Sequence, residues 1–304
     1  MTDNSSTAFF DNEVHYPLKK LKCDGNSFHL LDLTQSASLI TGNKAWKLKY
    51  NIDAWKSSGA EKILTFGGAY SNHIYQTAKL GFHLGIPTIG LIRGEIDDQE
   101  NPTLKDARRW GMELVQVDRK VYRNRNTPEM LAKLKVQYDA YIIPEGGTNA
   151  EAIRGTTELG RMIDGLCEEH HIHHIGLSVG TGGTIAGIIN GTNNRTVIGF
   201  AALKGDFLTA DVKQWVKSPN SGKWIIHSDE EFGGYGKWNH QLIDFIGQFH
   251  KETGIMLDPL YTGKMMYTAR LKGLLREDHL FIHTGGIQGN RGFNQRYDLN
   301  LPTI

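Results

Sequence analysis

Cysteine is nearly absent from this chain: Cys23 and Cys167 are the two among 304 residues. Two thiols cannot build a disulfide framework, so a reducing compartment such as the cytoplasm is the expected home. Long hydrophobic runs are missing too, and nothing in the sequence is apolar for long enough to span a bilayer. The first residues, "MTDNSSTAFFDNEVH", lack the basic-then-apolar plan of a secretory signal. They are polar and are expected to be loosely held. Nor does one sign of charge dominate. Lys and Arg number 34 against 33 Asp and Glu, which gives no footing for nucleic acid or a membrane surface as partner. What the chain has in excess is glycine. Its 35 glycines exceed the usual ~7% and gather in short loops.

Those loops close short apolar runs. "KILTFGG", "PTIGLIRGE", "MELVQVD", "AYIIPEGG", "HIGLSVG", "TVIGFAALKG", "KWIIHSDEEFGG" and "LFIHTGG" do not alternate in polarity. Such runs read as strands buried on both faces. Helical patterns such as "HIYQTAKLGFHLG" and "AEAIRGTTELGRMIDGLCEEH" lie between them. The alternation predicts an α/β protein with mostly parallel sheet and right-handed crossovers.

Ligands of open α/β sheets bind beyond the carboxyl ends of the strands. Four glycine loops fall there: "FGGAYSN" (66–72), "PEGGTN" (144–149), "SVGTGGT" (178–184) and "HTGG" (283–286). One such loop is often an ordinary turn; four at the same kind of junction carry more weight. "SVGTGGT" is the most specific, because a strand precedes it and a helix follows. Gly180, Thr181, Gly182, Gly183 and Thr184 can turn backbone N–H groups, hydroxyls and a helix dipole toward one phosphate. No Gly-Lys-Ser/Thr follows, so it is not a Walker loop, and Ile185 stands where a dinucleotide fingerprint needs its last glycine. In "GGAYSN", Ser71 and Asn72 could hold a carboxylate; by residue type Ser71 is simply a helix cap. "TGNKAWKLKY" (41–50) adds three lysines, Lys44, Lys47 and Lys49. A lone phosphate, a carboxylate pocket and a reactive lysine together suggest pyridoxal 5'-phosphate, which a lysine amine can hold covalently.

Two further signals read as surface. Cys167, His170, His171 and His174 in "CEEHHIHH" could ligate zinc, but a polar helix end with histidines at its C-terminus is the simpler reading, and no metal is expected. "DARRWG" and "DRKVYRNRN" are basic runs, read as solvated charge.

The set of motifs resembles the tryptophan-synthase-β superfamily of pyridoxal-phosphate enzymes, and within it the 1-aminocyclopropane-1-carboxylate deaminase and D-cysteine desulfhydrase family. "GNKAWKL", "GGAYSNH", "PEGG", "SVGTGGT", "DPLYTGK" and "HTGG" occur in that family's order across about residues 30–286. The resemblance implies two open, twisted, mostly parallel sheets flanked by helices. It implies a large cofactor domain of residues 1–46 plus 145–304, a smaller inserted α/β domain of residues 47–144, and a homodimer. It places the cofactor-holding lysine at Lys44, after Gly42–Asn43, and leaves Lys47 and Lys49 as supports on the helix. Trp46 stands where arginine is usual. Asn72 should meet the cofactor's ring hydroxyl, Ser71 the substrate and its proton transfer, and the His73 backbone the carboxylate. Tyr235 in "GGYGKWN" and Tyr261 in "DPLYTGK" match active-site tyrosines. Thr262 stands where the deaminase has a glutamate on the ring nitrogen, as in the desulfhydrase branch; a neutral hydroxyl makes a weaker electron sink, suited to β-elimination.

The expected activity is therefore deaminating β-elimination of a small amino acid, D-cysteine giving pyruvate, sulfide and ammonia. The alternatives are 1-aminocyclopropane-1-carboxylate deamination to 2-oxobutyrate, another enzyme of the same fold such as a racemase or dehydratase, and a non-catalytic binder. Ile287, Gln288 and Gly289 depart from the family's Pro-containing continuation. The stretch before Lys44, "HLLDLTQSASLITGN", lacks the charged Lys-Arg-Glu/Asp-Asp run of many relatives.

Overall fold

The computed structural model describes residues 16–35, 40–96, 101–205, 207–217 and 222–304. The first dozen residues, expected to be loosely held, and part of the stretch before Lys44 lie outside the described residues. Among the described residues, ten strands form two sheets. The larger contains β1 (Leu18–Cys23), β2 (Asn26–Asp32), β7 (His174–Val179), β8 (Thr196–Ala201), β9 (Trp224–His227) and β10 (His279–His283), in the order β1-β2-β10-β7-β8-β9. The smaller contains β3 (Lys62–Gly67), β4 (Thr88–Arg93), β5 (Glu113–Val117) and β6 (Ala140–Ile143), in the order β5-β4-β3-β6. Every pairing is parallel except β1 with β2.

Each of the eight apolar runs quoted above contains one of β3 to β10. The inner strands β3, β4, β7, β8 and β10 are buried almost throughout, while β5, β6 and β9, at the sheet edges, are partly exposed. The β1–β2 hairpin is the element that those runs do not announce. Its alternating strands join at Asp24–Gly25, whose φ angles of 48° and 79° make the turn that suits a tight hairpin. The Asp-Gly pair was the available signal.

Between the strands run α1 (Asn43–Ser58), α2 (Asn72–Leu84), α3 (Pro102–Arg109), α4 (Arg119–Arg123), α5 (Pro128–Tyr138) and α6 (Ala150–Glu169). They are followed by α7 (Gly183–Gly191), α8 (Phe207–Trp215), α9 (His240–Thr253), α10 (Thr262–Leu271) and α11 (Gly289–Tyr297). Three contacts aim these helices at one place. Gly42, just before α1, has φ +72°, and a Cβ there would lie 2.4 Å from the Thr284 carbonyl oxygen. Only glycine allows α1 to start against the "HTGG" loop. Ser71 caps α2, its Oγ accepting from the His73 and Ile74 amides at 3.2 and 3.3 Å. Thr156 on α6 is fully buried and donates its hydroxyl to Gly183 O at 3.1 Å, seating the first turn of α7. No helix among the described residues is long and apolar enough to cross a membrane.

Candidate active site

The starts of α1, α2 and α7 meet the carboxyl ends of β7 and β10 around one pocket. Lys44, Ser71, Asn72, His73, Gly180, Thr181, Gly182, Thr184 and Tyr261 all line it. Gly183, Tyr235 and Thr262 are not among its described lining. Gly183 sits just behind: a Cβ there would lie 3.1 Å from the Lys47 Nζ, so its missing side chain lets that amine approach the start of α7.

Lys44 donates to Asn43 Oδ1 at 3.2 Å, and Asn43 Nδ2 donates to Thr184 Oγ1 at 2.9 Å. Burial pulls the Lys44 amine from 10.5 to about 8, so near neutrality an appreciable fraction is unprotonated and nucleophilic.

Lys47 corrects the sequence reading, which left it as a support. It is 2% exposed. Its Nζ donates to Gly146 O at 2.9 Å, Thr148 Oγ1 at 3.1 Å and Thr181 Oγ1 at 3.4 Å. It therefore ties the "PEGG" loop to the "SVGTGGT" loop. All three partners are neutral oxygens, and burial, then Lys44, push its amine well below the usual lysine range. A buried amine with neutral oxygen partners beside a helix N-terminus regains a favourable positive charge when an anion arrives. Lys49 does have the support role: its Nζ pairs with Glu158 of α6 at 2.6 Å. Trp46 donates its indole N–H to the Tyr16 hydroxyl at 3.1 Å and packs against the core around β7. It anchors α1 and leaves the chemistry to its neighbours.

On the α2 side, Asn72 Oδ1 accepts from Gln288 Nε2 at 2.6 Å. Gln288, one of the residues that depart from the family pattern, thus fixes the Asn72 amide. His73 is 1% exposed. Its Nε2 lies 2.8 Å from Thr65 Oγ1, which donates to Ile143 O at 2.9 Å. The Thr65 proton is committed, so Nε2 carries the imidazole proton and Nδ1 is left a bare acceptor. That Nδ1 is buried without a partner. Burial, then Lys44 and Lys47, keep the ring neutral.

Tyr261 lies under Gly180, where a Cβ would be 3.3 Å from the ring. Burial, reinforced by Tyr235, pushes its phenol well above the usual range. It is a neutral donor at any physiological pH. The two tyrosine rings lie 6.1 Å apart, but Tyr235 is 41% exposed and belongs to the rim. Its loop is held by Lys264, whose Nζ reaches Asp229 at 2.7 Å and Gly234 O at 2.8 Å.

Thr262, expected to face the ring nitrogen, has its hydroxyl committed within the protein. It is fully buried, and its hydroxyl donates to Asp258 Oδ2 at 2.6 Å. Asp258 also accepts from the amides of Leu260, Tyr261 and Thr262, so it sets the turn that delivers Tyr261. Ser178 and Thr284 also line the pocket, their hydroxyls 3.2 Å apart. Sequence reasoning missed Asp258, Lys264, Ser178 and Thr284. The first two lie beside the motif tyrosines; the second two are members of the quoted glycine loops.

Comparison with known proteins now decides the family. Residues 21–285 match the family described as pyridoxal-phosphate dependent enzyme. The chain belongs to that family. It is 30% identical over 275 residues to a Pyrococcus horikoshii protein provisionally named a 1-aminocyclopropane-1-carboxylate deaminase, covering 82% of this chain and 81% of that protein. It is 28% identical over 270 residues to the D-cysteine desulfhydrase of Klebsiella pneumoniae, covering 81% and 82%. A crystal structure described as an ACC deaminase homologue superposes with TM-score 0.76 at 26% identity, over 97% of this chain and 100% of that one. A hydrogen sulfide-producing enzyme of Fusobacterium nucleatum shares the fold, with TM-score 0.64 at 12% identity over 93% and 95%.

The chain is thus a pyridoxal-phosphate enzyme of fold type II, and the pocket's own chemistry fits that cofactor. The glycine cradle at α7 and the buried Lys47 suit its phosphate, and the Lys44 amine suits its aldehyde. Cys23 and Cys167 take no part: both are buried, with thiols pushed up to about 12.

Proposed function

We propose that this enzyme carries out deaminating β-elimination on a small amino acid, converting D-cysteine to pyruvate, sulfide and ammonia. One observation carries the reading: no Asp or Glu occurs among the described residues that line the pocket. Bound pyridoxal phosphate supplies an electron-accepting ring in conjugation with the substrate's amino group. Without a carboxylate partner that ring stays a modest sink, sufficient when a leaving group departs readily. Lys44 would hold the cofactor and, as a free amine beside the substrate, would take the α-proton; an amine lowered to about 8 is matched to that task. Lys47, Thr181 and the N–H groups at Gly182–Thr184 hold the phosphate. Asn72 faces the ring hydroxyl, and the N-terminal end of α2 around Ser71–His73 receives the carboxylate. The Tyr261 hydroxyl, with Tyr235 at the rim, orients the leaving group.

The same reading takes residues 47–144 as a smaller domain, supported by the place of β3 to β6 within that span. It also takes the working form as a cytoplasmic homodimer. Two free, buried thiols support a reducing compartment, and the family resemblance supports the dimer.

Purified holoenzyme offered D-cysteine should release sulfide and pyruvate in equal amounts. Offered 1-aminocyclopropane-1-carboxylate, it should form little 2-oxobutyrate. Ring opening at a rate comparable to sulfide release would overturn the assignment. Thr262→Glu, which installs the deaminase residue, should not convert the enzyme. It buries a second carboxylate against Asp258 and should cost on the order of 3 kcal/mol or more, seen as a lower denaturant midpoint. A variant of unchanged midpoint that opens the cyclopropane ring would show that Thr262 does face the cofactor.

A further inference from the structure

The basic run "DRKVYRNRN" reads as solvated charge in the sequence, yet the fold sets it at the mouth of the active site. Beside the pocket lies an open cleft walled by the outer side of the "GGAYSN" loop, the end of β4, α4 and α11. Six of its described lining side chains are cationic, namely Arg93, Arg119, Arg123, Arg125, Lys237 and Arg296. One described lining side chain, Glu95, is anionic. Glu145 pairs with Arg125 at 2.6 Å. For a chain whose net charge is +1, this is a concentration of one sign at one place.

The cations are held, not merely scattered. Arg93 ends β4, and its guanidinium lies 3.7 Å from where a Gly68 side chain would begin. Arg93 and Arg125 sit 5.9 and 4.9 Å from the ring of the buried Tyr122. Arg296 sits 5.9 Å from the Tyr70 ring, and Arg119 packs over Gly94. Rings in these positions favour cations in place. The cleft joins the pocket through the tyrosines: Tyr235 lines the cleft, Tyr261 lines the pocket, and their rings are 6.1 Å apart.

We propose that the preferred substrate is an amino acid bearing a second anionic group beyond its α-carboxylate, received by Arg93, Arg119 and Arg296 at this mouth. The proposal rests on the elimination reading and narrows its substrate class. Guanidinium groups match phosphate and carboxylate oxygens in pairs, and a cleft of one sign draws oppositely charged ligands in. For O-phosphoserine, the α-proton passes to the Lys44 amine. The Cβ–O bond then breaks, and phosphate leaves with the electron pair. One water completes the conversion to pyruvate, ammonia and phosphate.

The test measures kcat/KM of the holoenzyme for D- and L-O-phosphoserine against D- and L-O-acetylserine and D-cysteine. One phosphoserine enantiomer should exceed its acetyl counterpart at least about tenfold. The preference should shrink in about 0.5 M salt, where charges are screened within a few ångströms. Arg93→Gln and Arg296→Gln should raise the phosphoserine KM about tenfold and leave acetylserine turnover within about twofold. Preference for the neutral esters and D-cysteine, or equal losses on both ester classes, overturns the proposal and leaves elimination standing. Absence of pyruvate from every substrate instead overturns elimination. Titration of the cofactor absorbance, which needs no turnover, then decides the anion preference by comparing phosphoserine with acetylserine binding.

Discussion

Replacing Lys44 by alanine is expected to lower turnover by at least about 10³-fold while leaving the fold intact. The contrast with Lys47 is the basis. The Lys47 amine is committed to Gly146, Thr148 and Thr181, a binding arrangement. Lys44 donates to Asn43 Oδ1 at 3.2 Å and can exchange that bond for a covalent partner. Borohydride reduction of the holoenzyme followed by peptide mass analysis should place the cofactor's mass on Lys44, and Lys44→Ala should retain none after gel filtration. A mass increment on Lys47 would reverse the two roles. Lys47→Ala should keep the covalent link but weaken cofactor retention, because the phosphate loses its buried cation. Titration adds a check. The Lys44 amine is held at about 8 against an ordinary 10.5, so between those values the unfolded chain binds the extra proton. Stability of the cofactor-free protein should rise with pH through that window, and Lys44→Met should flatten the rise.

Gly42→Ala is expected to be strongly destabilising and to disturb the active site. At φ +72° an alanine is strained by about 1–2 kcal/mol. Its Cβ would also stand 2.4 Å from the Thr284 carbonyl, an oxygen that already accepts from the Asn43 amide at 3.0 Å. Relief requires α1 to withdraw from the "HTGG" loop, taking Lys44 with it. The total should be roughly 3 kcal/mol or more, with a melting temperature lower by several degrees and cofactor retention reduced in parallel. Gly59→Ala provides a comparison: its φ is also +72°, its ψ is 1° against −166° at Gly42, and nothing lies within 4 Å of its Cβ. It should show the milder strain of the left-handed region and keep the cofactor. Equal effects at both glycines would mean that the contact with Thr284 yields readily.

Local pattern made much of this architecture legible. A buried parallel strand needs an unbroken apolar run and a turn to end it, and β3 to β10 all carry that mark. The carboxyl-end glycine loops then located the site, because ligand positions in such sheets follow from strand direction. The hairpin β1–β2 was less visible, since its strands alternate in polarity and its turn is a single Asp-Gly pair. Side-chain commitments were not legible at all. Thr262 and Thr284 are both threonines next to motif residues. One spends its hydroxyl on Asp258 and the other lines the pocket, a difference set by which way each backbone turns.

The sequence by itself determined the α/β class, from residue type at short spacing, and the family and cofactor, from motifs that resemble those of known enzymes. The same resemblance proposes Lys44, the lysine after Gly42–Asn43. Only the tertiary structure decided that Lys47 is a buried site residue and Lys49 a strut to Glu158. Only it showed that Gln288 fixes Asn72 and that the basic run of α4 faces the mouth of the pocket. Those assignments join residues up to 216 positions apart. They depend on where a side chain finds its partner once water is excluded, and spacing along the chain does not encode that.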